Sequence, residues 1–303
     1  MRETVAVCLP LTPAQLDKLR DAGLCLVEAD GQGPCPAAFR TARIAFGNPP
    51  ADWIAQTPEL LWIQLESVGF GEYLDLPPGG PVLTNLAGFF ADPVAESALA
   101  GILALNRGID RLVVLRTAGD WLGDDLRPDL RLLRGAKVVL FGMGAINRRL
   151  AELLEPFGCT ISAIRSDWQP EELDAALAGA DIVACAAPAT SGTADLLDAR
   201  RLSLLGPHAL VVNFGRGSLL DETALAQALS GGRLRGAVID VTRDEPLPPA
   251  HPFWTVPNLI LTQHTGGGTG DEIDRKIDVF LANLARFRAG TPLHSVVDFD
   301  RGY

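Results

Sequence analysis

Three side chains stand at or just beyond the ends of apolar runs and could together carry chemistry: Arg216, Glu245 and His264. Residues 209–214 are followed by Gly215-Arg216-Gly217, residues 237–241 by Thr242-Arg243-Asp244-Glu245-Pro246, and residues 259–263 lead straight into His264. Ligands of an open parallel sheet bind outside the carboxyl ends of its strands, so these positions turn a guanidinium, a carboxylate and an imidazole toward one crevice. A fixed planar cation suits a carboxylate or a developing alkoxide, and an imidazole titrating near neutrality suits proton donation. Taken singly, each also reads as ordinary structure: a solvated arginine in a loop, a glutamate before proline, a hydrogen-bonded histidine. His208 and His251, each beside a proline, read as turn residues, and His294 falls beyond the last helix. No pair of His, Cys or acidic residues has zinc-site spacing, so no metal is expected.

The element that must position these groups runs over residues 137–158, KVVLFGMGAINRRLAELLEPFG. An apolar run, residues 138–141, breaks at Gly142-Met143-Gly144, and Ile146, Leu150, Leu153 and Leu154 then recur at helical spacing. Strand, tight turn and helix follow, with Ala145 and Ile146 opening the helix. Such a turn brings backbone close to a pyrophosphate, whose charge meets the free N–H groups and positive dipole end of the helix. A purely structural turn, or a site for another nucleotide-like ligand, shares this pattern. Asn147 stands where a third glycine normally lets helix pack close to strand, so its side chain must find room or shift the helix.

The next strand, residues 160–164, runs into Arg165, Ser166 and Asp167. Roughly 20 residues after the glycine turn, NAD enzymes place an acid that binds the ribose 2'-hydroxyl and repels a 2'-phosphate. Arg165 offers charge-assisted bonds to that phosphate instead, and Ser166 a hydroxyl, so NADP(H) is the preferred cofactor, with NAD(H) as the alternative. A shift of one or two residues would bring Asp167 to the ribose and make the site NAD-like; a plain surface arginine is the bland reading.

With 303 residues, 48% hydrophobic and 21% charged, the chain can bury one large or two medium cores. Its net charge of −11 opposes binding to nucleic acid or an anionic membrane, so an anionic ligand must be met by local cations. Cys8, Cys25, Cys35, Cys159 and Cys185 form no C-x-x-C pair and mostly sit in apolar runs, which predicts reduced core thiols. The start, MRETVAVCLPL, does not look like a signal peptide, and the longest apolar stretch, residues 98–105, is far short of a membrane span; a cytoplasmic protein is expected.

Along the chain, strands are expected at residues 5–9, 44–46, 61–65 and 82–83 with a helix at 13–22, a small α/β unit. Asp92-Pro93 reads as cap and first turn of a helix that is apolar on nearly every face and lies buried between two lobes. Residues 108–134 weaken into a Gly-, Asp- and Arg-rich pattern with Trp121 standing out: a surface loop, or an arm reaching a partner subunit. Six apolar runs then follow, at residues 138–141, 160–164, 182–186, 209–213, 237–241 and 259–262, as in a parallel sheet covered on both faces. A last helix carries Ile273, Ile277, Phe280, Leu281, Leu284 and Phe287 on one stripe, starts near Asp271, and stops at Gly290 and Pro292. Its place after the last strand suggests a return to the first lobe, with residues 88–93 and 266–270 as hinge candidates or plain linkers.

In PVAES (93–97), LRGAKVVLFGMGAI (133–146), VVNFGRGSLLDETAL (211–225), GAVIDVTRDEPLP (236–248) and PNLILTQH (257–264), the chain resembles the NAD(P)-dependent D-isomer-specific 2-hydroxyacid dehydrogenases, in order and spacing over about two-thirds of its length. The resemblance implies an α/β architecture: a Rossmann doubly wound parallel sheet domain at residues 93–269, and a smaller flavodoxin-like substrate domain from residues 1–92 and 270–303. It implies a homodimer, with reduction of a small 2-oxo acid such as glyoxylate or hydroxypyruvate. By motif, Arg216 would bind and polarise the 2-oxo acid, His264 would donate the proton, and Glu245 would orient His264 and favour its charged form. Gly142, Met143, Gly144, Ala145, Ile146, Arg165, Ser166, Ala187, Pro188, Phe214, Gly215, Asp240 and His264 would meet the cofactor, Asp240 at the nicotinamide carboxamide. The N–H groups of Ser67-Val68-Gly69 would take the substrate carboxylate, with Val68 and Gly69 beside Arg216 and His264 as substrate residues. Gln263 departs from the proline often found before the histidine, and Glu245 from the amide of formate dehydrogenases of this fold. A non-catalytic, cofactor-sensing interaction protein on the same fold is the competing reading.

Overall fold

The computed structural model describes residues 3–299. They divide into two compact units: one takes the chain up to Phe89 and again from Thr269, and the other comprises Phe90–Gly268.

The first unit is a five-stranded sheet in the order β2-β1-β3-β4-β5, with every pairing parallel. Its strands are β1 (Thr4–Cys8), β2 (Cys25–Glu28), β3 (Ile44–Gly47), β4 (Trp62–Gln64) and β5 (Val82–Thr84). This 2-1-3-4-5 order is the flavodoxin-like one. Helix α1 (Pro13–Asp21) begins where Thr12 and Gln15 cap one another and Pro13, which has no N–H to satisfy, takes the first helical position. Short α2 (Ala51–Ala55) follows β3. The last helix, α9 (Glu272–Ala289), ends at Gly290 in the left-handed region (φ 64). Its apolar stripe closes this unit's core: Phe280 stacks on Phe46 at 4.6 Å and on Trp62 at 5.2 Å between ring centroids.

Strand β2 was not among the expected strands. It is an edge strand with half-exposed residues, so it lacks the continuous apolar run that marks a strand covered on both faces. Cys25 on it is exposed and Cys159 half-buried, so only Cys8, Cys35 and Cys185 are the core thiols expected of the cysteines. Burial pushes the Cys8 and Cys185 thiols up to about 12.

The second unit is a six-stranded parallel sheet in the order β11-β10-β9-β8-β6-β7. Its strands are β6 (Lys137–Phe141), β7 (Thr160–Ile164), β8 (Ile182–Cys185), β9 (Leu210–Asn213), β10 (Gly236–Ile239) and β11 (Leu259–Leu261). Strands β8, β9 and β10 are buried at every residue, as continuous apolar runs require. The order reverses at β6, and because all strands are parallel, every carboxyl end lies along one edge of the sheet. Helices α5 (Ala145–Leu154), α6 (Pro170–Leu177), α7 (Ala199–Leu204) and α8 (Glu222–Ser230) complete the crossovers.

Helix α3 (Ala91–Arg107) packs on α5, β9 and β10. It approaches β10 so closely that a Cβ on Gly101 would sit 2.6 Å from a Val238 methyl. Asp92 is not its cap. The helix starts at Ala91 with Phe90 in the cap position, two residues earlier, and the Asp92 carboxylate instead reaches Arg149 on α5 at 2.6 Å. Residues 108–134 are not a loop either: they hold α4 (Ile109–Ala118), with no buried residue, and a 3-10 stretch, Gly123–Asp129, whose Leu126 is buried. Ile109, Leu112, Val113 and Val114 on α4 are exposed, and Trp121 is 94% exposed. No helix among the described residues is long and apolar enough to cross a membrane.

Candidate active site

At the switch point, β6 leads into a turn in which Gly142 has φ 84 and lies so near β8 that a Cβ would meet Ala187 Cβ at 2.9 Å and Ala186 O at 3.0 Å. Gly144 caps α5 with no side-chain hydrogen bond, and a Cβ there would meet nothing within 4 Å. The first turn of α5 has no side-chain cap and no acidic residue, which fits a dinucleotide pyrophosphate at its N–H groups. Asn147 does not displace the helix. Its side chain is buried, and Nδ2 donates to Phe141 O at 2.9 Å and Gly142 O at 2.8 Å, tying the helix to the end of β6. Met143 and Ile146 are half-buried and Ala145 exposed on this turn; Ala187 is buried and Pro188 exposed after β8.

Around the neighbouring strand ends, Arg216 follows β9, Glu245 lies in the loop after β10, and His264 follows β11. Nδ1 of His264 lies 2.7 Å from Glu245 Oε2. The other carboxylate oxygen accepts from the Thr242 N–H at 2.9 Å, so Glu245 is held at both ends. Burial works to raise the Glu245 carboxyl, but the bonds from His264 and Thr242 N–H, with attraction from His264 and Arg216, outweigh it and hold it below the usual range. A cavity of about 420 Å³ beside the pair is lined by Asp240, Leu247, Trp254 and Gln263 among others. Arg216 is exposed; Nη1 donates to Gly215 O at 2.8 Å, and the rest of the fork makes no bond among the described residues.

Asp240 is 4% exposed, and its Oδ1 accepts from Thr262 Oγ1 at 2.6 Å and Gly266 N–H at 3.0 Å. Its own carbonyl accepts from the His264 N–H at 2.6 Å, which joins the end of β10 to the histidine turn. Phe214 is buried, and Gly215 packs against Ala187, whose carbonyl would lie 2.8 Å from an added Cβ. Gln263 and His264 both take positive φ, 54 and 56. Proline, fixed near −65°, cannot enter that conformation, so the glutamine and the turn that presents the ring go together.

Arg165 and Ser166 are exposed at the end of β7, and Arg165 makes no side-chain bond among the described residues. In the other unit, Val68 O accepts from Asn85 Nδ2 and Gly69 O from Ser67 Oγ, each at 2.7 Å. The N–H groups of Val68 and Gly69 make no bond among the described residues. Sequence reasoning missed the part of Thr242, which acts through its backbone, and that of Glu222 and His251. His251 does serve a turn, accepting from the Phe253 N–H, but its other ring nitrogen meets Glu222.

A glycine turn at the switch point of a parallel sheet, with an arginine and a carboxylate-held imidazole at neighbouring strand ends, defines a dinucleotide-dependent dehydrogenase. Comparison with known proteins agrees. The model of the NAD binding domain of D-isomer specific 2-hydroxyacid dehydrogenases matches residues 99–266, and the chain belongs to that family. It is an oxidoreductase that uses NAD(P). A glyoxylate/hydroxypyruvate reductase from Arabidopsis thaliana is 29% identical over 88% of this chain and 86% of its own. Among solved structures, a D-isomer specific 2-hydroxyacid dehydrogenase family protein from Aeromonas salmonicida is similar with a TM-score of 0.83 and 27% identity, covering 99% of this chain and 100% of its own. A D-isomer specific 2-hydroxyacid dehydrogenase from Xanthobacter autotrophicus, in complex with NADPH and MES, has a TM-score of 0.81 and 25% identity over 100% of both chains.

Proposed function

We propose that the chain reduces a small 2-oxo acid, glyoxylate or hydroxypyruvate, to its D-2-hydroxy acid, with NADPH as the preferred donor and NADH as the alternative. The observation that carries this reading is the 2.7 Å contact between His264 Nδ1 and Glu245 Oε2 near the β9 end that bears Arg216. When bound, the reduced nicotinamide supplies the hydride. With Nδ1 engaged by Glu245, Nε2 of His264 is the nitrogen left to give its proton to the substrate carbonyl oxygen, and the negative Glu245 stabilises the charged ring before transfer. The unpaired part of the Arg216 fork binds the 2-oxo acid and polarises its carbonyl. The free N–H groups of Val68 and Gly69 take the substrate carboxylate. Asp240 orients the carboxamide of the nicotinamide, while Gly142, Gly144, Ala187, Pro188, Phe214 and Gly215 leave room for the cofactor's backbone.

NADPH preference rests on Arg165 and Ser166, which follow β7 where NAD enzymes place an acid. The known Arabidopsis relative acts on glyoxylate and hydroxypyruvate by its name, which supports the substrate class. An inert cofactor-sensing protein would need neither the histidine–glutamate contact nor the arginine beside it. Initial rates with a panel of 2-oxo acids and each reduced cofactor test the proposal, and the absence of turnover with every pair would overturn it.

The same proposal includes a homodimer through residues 108–134. An entire helix, α4, buries nothing and exposes Ile109, Leu112, Val113 and Val114, with Trp121 beyond it. Sedimentation at micromolar concentration should give twice the mass of the chain, and a monomer would remove this part. Five free cysteines support a cytoplasmic placement.

A further inference from the structure

A second histidine–glutamate pair lies in the same unit. Glu222 opens α8 directly after Asp221, whose carboxylate caps the helix by accepting from the Ala224 N–H at 2.9 Å. The Glu222 side chain is 10% exposed, and both of its oxygens are engaged. Oε1 accepts from the backbone N–H of Arg243 at 2.8 Å, and Oε2 lies 3.2 Å from Nε2 of His251. His251 Nδ1 accepts from the Phe253 N–H at 3.3 Å, so the ring proton sits on Nε2 and is donated to the carboxylate.

Arg243 is the residue next to Thr242, whose N–H anchors Glu245. The loop is therefore gripped in succession: Thr242 N–H by Glu245, Arg243 N–H by Glu222, and the Arg243 guanidinium by Asp195 and, at 3.1 Å, by Leu220 O. Thr242 Oγ1 also donates to Asp244 O at 3.0 Å, closing the turn that delivers Glu245. We propose that Glu222, held by His251, is a positioning residue for the catalytic pair: it fixes residues 242–243 and through them aims Glu245 at His264. This rests on the reading of Glu245 and His264 as the acid pair. A glutamate in the first turn of a helix is favourable to the helix dipole in any case, but that effect asks for neither burial nor a bond to the Arg243 N–H.

The test uses Glu222→Ala, Glu222→Gln and His251→Ala, assayed with glyoxylate and hydroxypyruvate, with each reduced cofactor, across pH. Cofactor affinity by fluorescence titration and melting temperature are measured alongside. Displacement of a catalytic group by about an ångström costs on the order of a hundredfold, so Glu222→Ala should lower kcat about ten- to a hundredfold. Its KM and cofactor affinity should stay within about threefold of wild type, because Arg216 and the glycine turn keep their places. The alkaline decline of kcat should move to lower pH as Glu245 loosens from His264. Glu222→Gln keeps one acceptor oxygen, enough for the Arg243 N–H but not also for His251, and should recover part of kcat, and His251→Ala should show a smaller loss with the same change in pH profile. A lower melting temperature with wild-type kcat and pH profile in Glu222→Ala overturns the proposal. If that variant does not fold, His251→Ala decides, and an unchanged kcat and pH profile overturns it equally. A wild type inactive toward every 2-oxo acid would instead mean that the assigned reaction is wrong.

Discussion

A methyl group on Gly217 would lie 2.1 Å from the carbonyl carbon of Thr242. The turn that carries Arg216 and the loop that carries Glu245 therefore touch backbone to backbone, and only a residue without a side chain fits between them. Gly217→Ala must push the two apart. It should lose stability by about 1–3 kcal/mol, the usual cost of overpacking, and kcat by at least about tenfold as both groups shift. Urea unfolding and steady-state kinetics check this; wild-type values in both would show that the contact relaxes freely.

His264→Ala should lower kcat by about a hundred- to ten-thousandfold with cofactor affinity retained, as loss of a general acid does. Arg216→Ala should lower kcat and also raise KM, since its fork serves binding and polarisation together. Near-normal turnover in His264→Ala would remove the assigned mechanism.

Glu245 titrates below the ordinary glutamate value of 4.5, so it stays ionised against His264 throughout the neutral range. Replacing it by Gln takes a negative charge from the ring and should move the alkaline decline of reduction to lower pH. The same depression has a sign in stability. A carboxylate lowered in the folded state contributes above its unfolded value and loses that contribution as pH falls through the folded one. The melting difference between wild type and Glu245→Gln should be full at neutral pH and narrow below about 4.5. A difference that grows on acidification would contradict the assignment.

Asn147→Ala removes the amide that donates to both carbonyls; Phe141 O keeps the Ala186 N–H at 3.0 Å, and Gly142 O loses its side-chain donor. Unsatisfied buried polar groups cost about 1–3 kcal/mol, which should appear in denaturant unfolding together with weaker cofactor binding, since Gly142 belongs to the phosphate turn. An Asn147→Ala variant as stable as wild type would show that water replaces the amide.

Arg165→Ala should reduce kcat/KM with NADPH by about ten- to a hundredfold while leaving NADH little changed, the range of one or two charge-assisted bonds. A wild type that favours NADH, or a variant with unchanged preference, would show that Asp167 rather than Arg165 meets the ribose.

The inner strands of the second unit were legible because they are buried on both faces, so apolar residues run on without alternation, as in Ile182–Cys185 and Leu210–Asn213. Strand β2 was not, because an edge strand with Cys25 and Glu28 exposed writes no such run. Helix α4 was not, because its apolar residues point away from any core of the unit and so set no face against a polar one. Within the site, Arg216, Glu245 and His264 could be found because chemistry collects where parallel strands end. Glu222 could not, since its importance lies in a backbone N–H that is far away in sequence. Asn147 read as an intruder in a glycine's place; only the carbonyls around it reveal a tie.

The stacking of Phe280 on Phe46 and on Trp62 joins the two chain segments of the first unit. During synthesis the ribosome delivers Phe46 and Trp62 before Phe280, with the whole of Phe90–Gly268 emerging in between. The middle unit is continuous in sequence and has all of its own sheet before α9 exists. The first unit must hold an open aromatic face through that interval, so it is the part of the nascent chain that most needs protection from aggregation, and completion of its core waits until α9 has emerged.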